Sequence, residues 1–216
     1  TGENSTPPGL NIGDAIKKYK NDETMIGIDV SSFQGQIDWE KVKNSGVEFA
    51  IIRLGFGYTV NMELVLDKYF KENLKSAKEQ GLKVGVYFYT YANSLEEIRE
   101  QAKFISDSLD GETLDLGVTF DWENWNNFQD YQVSFYDLDN MYNNFNSFLK
   151  NKGYNTMLYG SKFYLNNVWN TNDKDVWLAH YTDITNYDKD YKLWQFTDKG
   201  IVDGINGFVD LDVLYK

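Results

Sequence analysis

The stretch Leu116–Asn124 reads LGVTFDWEN and sets two carboxylates, Asp121 and Glu123, two residues apart. Side chains of an extended strand alternate between its faces, so Leu116, Val118, Phe120 and Trp122 point one way. Gly117, Thr119, Asp121 and Glu123 point the other way, with the Cα atoms of the two acids roughly 6.5–7 Å apart. Burying such a like-charged pair costs stability, which makes a purely structural purpose hard to assign. Paired acids are the equipment of general acid–base chemistry, in which one carboxyl keeps a proton that it can give away. On a solvated strand edge the same D-x-E spacing would carry no meaning, and an acidic chain produces it by chance.

Two further runs raise the interest of that pair. Met25–Val30 (MIGIDV) carries Asp29, and Gly207–Asp212 (GFVDLD) carries Asp210 and Asp212. Each reads as an apolar strand with an acid at or near its C-terminal end, where it would meet the same mouth of a barrel. Arg53, in the apolar run Phe49–Leu54, is either a contact of the functional site or a plain ion-pair partner of Asp29 or Asp121. Aromatic residues are abundant, with 14 Phe, 16 Tyr and 6 Trp. Most must fill the core, but Tyr87, Tyr89 and Tyr91 share one strand parity, and Tyr159, Trp177 and Trp194 fall at strand ends. At a mouth such side chains offer flat apolar platforms with hydroxyl or indole handles, which suit the faces and rims of sugar rings. Aromatic platforms beside paired acids point to glycoside hydrolysis.

Bringing these residues together requires a scaffold that gathers distant strands. Strand-like apolar runs occupy Met25–Val30, Val47–Leu54, Lys83–Tyr89, Leu116–Trp122, Thr156–Tyr159, Asp175–Ala179, Lys192–Phe196 and Gly207–Leu211. Between them lie amphipathic segments. Leu66, Tyr69, Phe70, Leu74 and Ala77 form one helical face that ends at Gly81. Ile98, Ala102, Ile105 and Leu109 form a second, opened by a capping box of Ser94 and Glu97. Leu138, Met141, Tyr142, Phe145, Phe148 and Leu149 form a third that ends at Gly153. Alternating strand and helix implies parallel βα units, and eight strands favour a closed barrel over an open sheet. Little between the last three strands is helical, so the expected fold is α/β, an irregular TIM-like barrel with about eight strands and fewer helices. Residues 1–24 read as an N-terminal tail or linker with a short helix over Asp14–Tyr19, and residues 25–216 as a single domain.

Composition narrows the chemistry further. The 216 residues include 21 Lys or Arg and 33 Asp or Glu, a net charge of −12. Such a chain lacks the basic footprint that nucleic acid and anionic membranes demand, so neither is an expected partner. The absence of cysteine excludes disulfides, thiolate metal sites and Cys nucleophiles. A single histidine, His180, excludes the HExxH zinc helix and any multi-histidine site, and reads as a packed or rim residue. What remains is carboxylate, hydroxyl and amine chemistry, with no metal and no cofactor expected. No apolar run approaches the roughly 18–20 residues of a membrane helix.

The motifs also resemble one family, in order along the chain. Asp29-Val30-Ser31-Ser32-Phe33-Gln34-Gly35 with Ile37-Asp38-Trp39, Ile51-Ile52-Arg53 and Gly57-Tyr58 look like the opening of the glycoside hydrolase family 25 lysozymes. Gly85-Val86-Tyr87, Asp121-Trp122-Glu123, Leu158-Tyr159, Trp177-Leu178-Ala179, Trp194-Gln195 and Val209-Asp210-Leu211 continue the likeness. The resemblance implies a flattened, irregular βα barrel and an N-acetylmuramidase that cuts β-1,4 bonds between N-acetylmuramic acid and N-acetylglucosamine. It implies Glu123 as the general acid with Asp121, Asp29 and Asp210 around it, while Asp212 stands where the family often has Asn. Arg53, Tyr58, Tyr87, Tyr89, Tyr159 and Trp194 are then the expected substrate contacts. The expected partner is the glycan strand of peptidoglycan, met outside the cell or at the wall by a monomer whose signal or anchor lies upstream. Acid crowding favours Glu123, as the least solvated member, for a raised pKa. Two rival readings use the same mouth: a carbohydrate-binding barrel without catalysis, and a carboxylate-ligated, metal-dependent hydrolase.

Overall fold

The alternating strand and helix patterns close on themselves in the computed structural model of the chain. The structure describes residues 9–57, 63–123 and 125–216. The first half holds β1 (Leu10–Asn11), α1 (Ile12–Tyr19), β2 (Thr24–Val30), α2 (Trp39–Asn44), β3 (Phe49–Gly57), β4 (Leu64–Leu66), α3 (Phe70–Glu79), β5 (Lys83–Thr90) and α4 (Leu95–Leu109). The second half holds β6 (Val118–Trp122), α5 (Phe135–Asn151), β7 (Thr156–Ser161), α6 (Lys162–Asn167), β8 (Val176–Ala179), β9 (Leu193–Ile201) and β10 (Val209–Tyr215).

The barrel wall runs β2-β3-β5-β6-β7-β8-β9-β10, and β10 returns to pair with β2. These eight strands are the eight that the sequence patterns predict. From β2 to β9 neighbours are parallel, whereas β10 is antiparallel to both β9 and β2. Helices occupy the connections as far as β8, while those from β8 to β9 and from β9 to β10 carry none. An antiparallel closing strand explains the last gap, because it needs a simple return of the chain and no crossover helix.

Alternation sorts the wall residues. Ile28, Ile52, Val86, Phe120, Leu158 and Leu211 face outward and join the core shared with the helices. Phe49, Ile51, Met157, Trp177, Leu193 and Leu214 face inward and fill the barrel. Leu116 breaks the expected alternation and packs with the inner set. The cause is Gly117, whose φ of 70° turns the chain over just before β6.

Leu10–Tyr19, within the stretch read as a tail with a short helix, pack on the barrel. β1 adds a parallel partner to β9, and α1 buries Ile12 and Ala15. The Tyr19 ring meets Trp194 edge-on at 5.6 Å. The expected helix therefore exists, and Asn11 caps it by accepting a bond from the Gly13 N–H. At α4 the Ser94 side chain accepts from the Glu97 N–H as expected, but Glu97 reaches the Asn93 N–H and not that of Ser94.

Gly117 gives the fold a sharp test. A Cβ there would lie 2.3 Å from the Asn155 carbonyl oxygen, on a backbone that cannot yield cheaply. At Gly81, which follows α3 with a similar φ of 70°, a Cβ would meet nothing within 4 Å. Gly81→Ala should cost about 1–2 kcal/mol, the conformational penalty alone. Gly117→Ala should cost at least about 2 kcal/mol more, read by urea denaturation. Equal losses would mean that the Asn155 contact is relieved without strain.

Candidate active site

Asp29 and Asp121 stand near the C-terminal ends of β2 and β6. Asp210 and Asp212 were expected at a C-terminal strand end too, but they lie at the start of β10, which continues to Tyr215. They reach the same mouth because β10 runs antiparallel, with Asp210 opposite Asp29 and Asp212 opposite Gly27. The mouth opens into a cleft of about 780 Å³. Asp29, Asp121, Glu123 and Asp210 line it together, with Arg53, Tyr87, Tyr89, Tyr91, Tyr159, Trp177 and Tyr181 in its walls.

The acids form two groups. Asp121 and Glu123 are near enough to act on each other's ionisation, and burial with like charge favours a proton on the pair. Asp121 is buried and is pushed well above the usual carboxylate range, by burial first and then by the charge of Glu123. Glu123 is also raised by burial of its carboxyl group, while the nearby Asp121 works the other way. Asp121, not Glu123, is the deeper member, because it lies within β6 and Glu123 follows the strand end at the cleft surface. One Asp121 oxygen, Oδ1, and the Thr119 hydroxyl on the same face are buried without a partner among the described residues.

The second group is Asp29 with Asp210 and Asp212, whose ionisations act on one another. Burial raises all three. The charge of Asp212 adds to the effect on Asp29, burial with the charge of Asp29 pushes Asp210 up to about 9, and the charge of Asp210 acts on Asp212. Fixed donors steady the group. Gln195 Nε2 donates to Asp29 Oδ2 at 2.7 Å, and Trp177 Nε1 donates to Asp212 Oδ1 at 2.8 Å. Gln195 Oε1 in turn accepts from the hydroxyls of Tyr159 at 2.9 Å and Tyr181 at 3.1 Å. The charge of Asp29 also raises Asp121, and so links the two groups.

Other expected contacts divide. Tyr87, Tyr89 and Tyr159 line the cleft, while Tyr58 lies outside the described residues. Trp194 is on the other side of the wall. Leu193 faces inward on β9, so Trp194 must face out, where it packs on Phe196 and donates to the His180 carbonyl at 2.9 Å. Arg53 lines the cleft, but its ion pair is with neither Asp29 nor Asp121. Its Nε and Nη2 reach Asp67 Oδ2 at 2.8 and 2.7 Å, because the Asp67 N–H is tied to the Leu54 carbonyl beside it. Asp67 and Gln195 escaped the sequence reading. Gln195 could have been found by its parity with Leu193, whereas Asp67 follows a short strand with no pattern of its own. His180 is not among the cleft-lining residues, and its Nδ1 lies 2.9 Å from the Thr185 hydroxyl. Among the described residues no group of three or more acidic or histidine ligands is arranged to hold a metal ion.

Crowding of this kind has a thermodynamic signature. Asp210 keeps its proton in the folded chain up to about 9, whereas an ordinary carboxyl releases it near 3.8. Between those values the unfolded chain binds fewer protons than the folded one, so stability falls as pH rises through the window. Asp210→Asn removes that loss. The variant should match the parent near about pH 4 and exceed it near about pH 8, by about 1–2 kcal/mol since the cleft leaves the group partly hydrated. Thermal melts at the two pH values decide it, and an unchanged difference would mean that Asp210 is not crowded.

Comparison with known proteins agrees with the geometry. The family model described as Glycosyl hydrolases family 25 matches residues 28–205. The chain is 34% identical over 191 residues to an autolytic lysozyme of Clostridium acetobutylicum, a match covering 87% of this chain and 55% of the relative. It thus spans about half the length of that curated relative. The modular autolysin LytC from Streptococcus pneumoniae, solved in complex with a synthetic peptidoglycan ligand, is similar with a TM-score of 0.77 and 26% identity, over 91% of this chain and 48% of that one. A bacterial lysozyme from Streptomyces coelicolor is similar with a TM-score of 0.72 and 25% identity, over 89% and 92% of the two chains. On the extent of the family match and the identity to the clostridial relative, this chain belongs to glycosyl hydrolase family 25.

Proposed function

We propose that this chain hydrolyses the glycan strands of peptidoglycan at the β-1,4 bond that follows N-acetylmuramic acid, with Glu123 as general acid. The observation that carries the reading is the Asp121–Glu123 pair on one strand face, exposed at one end to an aromatic-walled cleft and buried at the other. Family membership supports it, as do the printed descriptions of relatives as lysozymes and autolysins. The substrate places the work at the cell wall.

Acid and nucleophile of a retaining glycosidase stand roughly 5–5.5 Å apart, and the acid and base of an inverting one roughly 6.5–9.5 Å apart. Peptidoglycan sugars carry a 2-acetamido group beside the reacting carbon, which offers a third route. We favour attack by the substrate's own acetamido oxygen. Glu123 gives its proton to the leaving glycosidic oxygen as the C1–O bond breaks, and the acetamido oxygen closes onto C1. Asp121 holds the acetamido N–H and steadies the positive charge that develops. Glu123, now a carboxylate, takes a proton from the water that opens the ring and returns to its starting state. Burial and the charge of Asp29 favour the protonated form of Asp121, while Gln195 holds Asp29 in place.

Two measurements test this. Glu123→Gln keeps the shape and removes the transferable proton, so cell-wall lysis should drop on the order of 10²–10⁴-fold with an unchanged circular dichroism spectrum. Lysis at the parental rate would end the assignment.

The second is the pH profile. The acid must be protonated, so activity falls as pH rises through the raised pKa of the pair. Asp29 raises Asp121 and has no resolved action on Glu123 itself. Asp29→Asn should therefore act through Asp121 and pull the alkaline limb toward lower pH in whatever activity remains. A limb that stays put or moves upward would separate Asp29 from the pair.

A further inference from the structure

Phe33 has no packing reason to stand where it does. Its side chain is 87% exposed, yet its backbone is fixed. It sits in a 3-10 turn over Ser32–Gln34 that Ser31 and Gln34 close with a capping box. Ser31 Oγ accepts from the Phe33 N–H at 3.2 Å, and the buried Asp67 accepts from the Ser32 N–H at 3.0 Å. The ring is held too. Arg53 Cζ lies 5.1 Å from the Phe33 ring centroid and 5.4 Å from that of Phe56, and Arg53 is itself locked onto Asp67.

One face of the Phe33 ring is thus backed by a fixed cation, and the ring lines the cleft. A flat apolar partner could settle on the free face without ordering anything further in the protein, which removes much of the usual penalty of binding. The turn follows β2, and β3 and β5 separate β2 from β6 in the barrel wall. Three strand spacings make roughly 14 Å between the β2 and β6 positions, so the ring stands away from the paired acids. Arg53 has its charge matched by Asp67, so the corner offers an aromatic face more than an anion site.

We propose that Phe33 is a stacking platform in an outer subsite of the cleft, taking the C–H face of a pyranose ring away from the bond being cut. The proposal rests on the glycan reading of the cleft. A sugar fits because its C–H face covers the ring while its hydroxyl rim stays in water.

The test uses the Glu123→Gln protein, in which the glycan survives the measurement. Peptidoglycan glycan oligomers of two, four and six sugars are titrated against it by calorimetry, with and without Phe33→Ala or Phe33→Trp. Phe33→Ala should weaken binding of the longest oligomer about tenfold, and Phe33→Trp should restore it to within about twofold. The disaccharide should lose less than the hexasaccharide. Equal affinity of the Glu123→Gln and Glu123→Gln/Phe33→Ala proteins at every length would overturn the platform. So would a loss that tryptophan does not rescue, since that marks a disturbed turn and not a missing ring. If the folded Glu123→Gln protein binds no oligomer at all, the glycan reading itself falls, and this inference with it.

Discussion

Five carboxyl groups converge on one barrel mouth, and they cannot all be ionised together. Asp29, Asp121 and Asp212 are buried, and every member of the set has its pKa raised. Such a cluster could shed its excess charge to a cation or to protons. The structure takes the second course. Arg53 is close enough to lower Asp121 somewhat, yet its guanidinium is committed to Asp67, which is almost completely buried. Were Arg53 to pair with Asp121 directly, the ionised carboxylate would be favoured. Asp67 therefore keeps the guanidinium engaged elsewhere.

Neutral donors do the remaining work. Gln195 and Trp177 each give a hydrogen bond to one acid, and the hydroxyls of Tyr159 and Tyr181 fix the Gln195 amide in turn. These groups orient the carboxyls without bringing positive charge, so geometry is set and protons stay. A barrel suits this arrangement because its inward side chains come from every strand, and alternation alone decides which residues reach the mouth.

Much of this was legible in the sequence, and the failures share a cause. Local period reveals strands and helices, so all eight wall strands and the inward parity of Asp121 could be read directly. Long-range pairing leaves no local trace. The direction of β10, the Asp67–Arg53 pair and the docking of α1 on β9 and its neighbours each depend on residues far apart in the chain. Trp194 was misplaced for a different reason. Its aromatic character suggested a cleft contact, but parity with Leu193 sends it outward, and parity is the stronger constraint. At Leu116 parity itself failed, because a single glycine reset the phase.

The closing strand also makes the site the last thing to form. Asp29 lies in the first strand of the wall, and its neighbours Gln195, Asp210 and Asp212 arrive only with the final two. A ribosome releases Asp121 and Glu123 well before β9 and β10 exist, so the growing chain carries an open sheet in which Asp29 faces no partner acid. Contacts spanning nearly the whole sequence are slow to close and come late in folding. A chain interrupted before its last strand would keep the paired acids of β6 and lack the group that tunes them. Assembly order thus couples the environment of the acids to the arrival of the last wall strand.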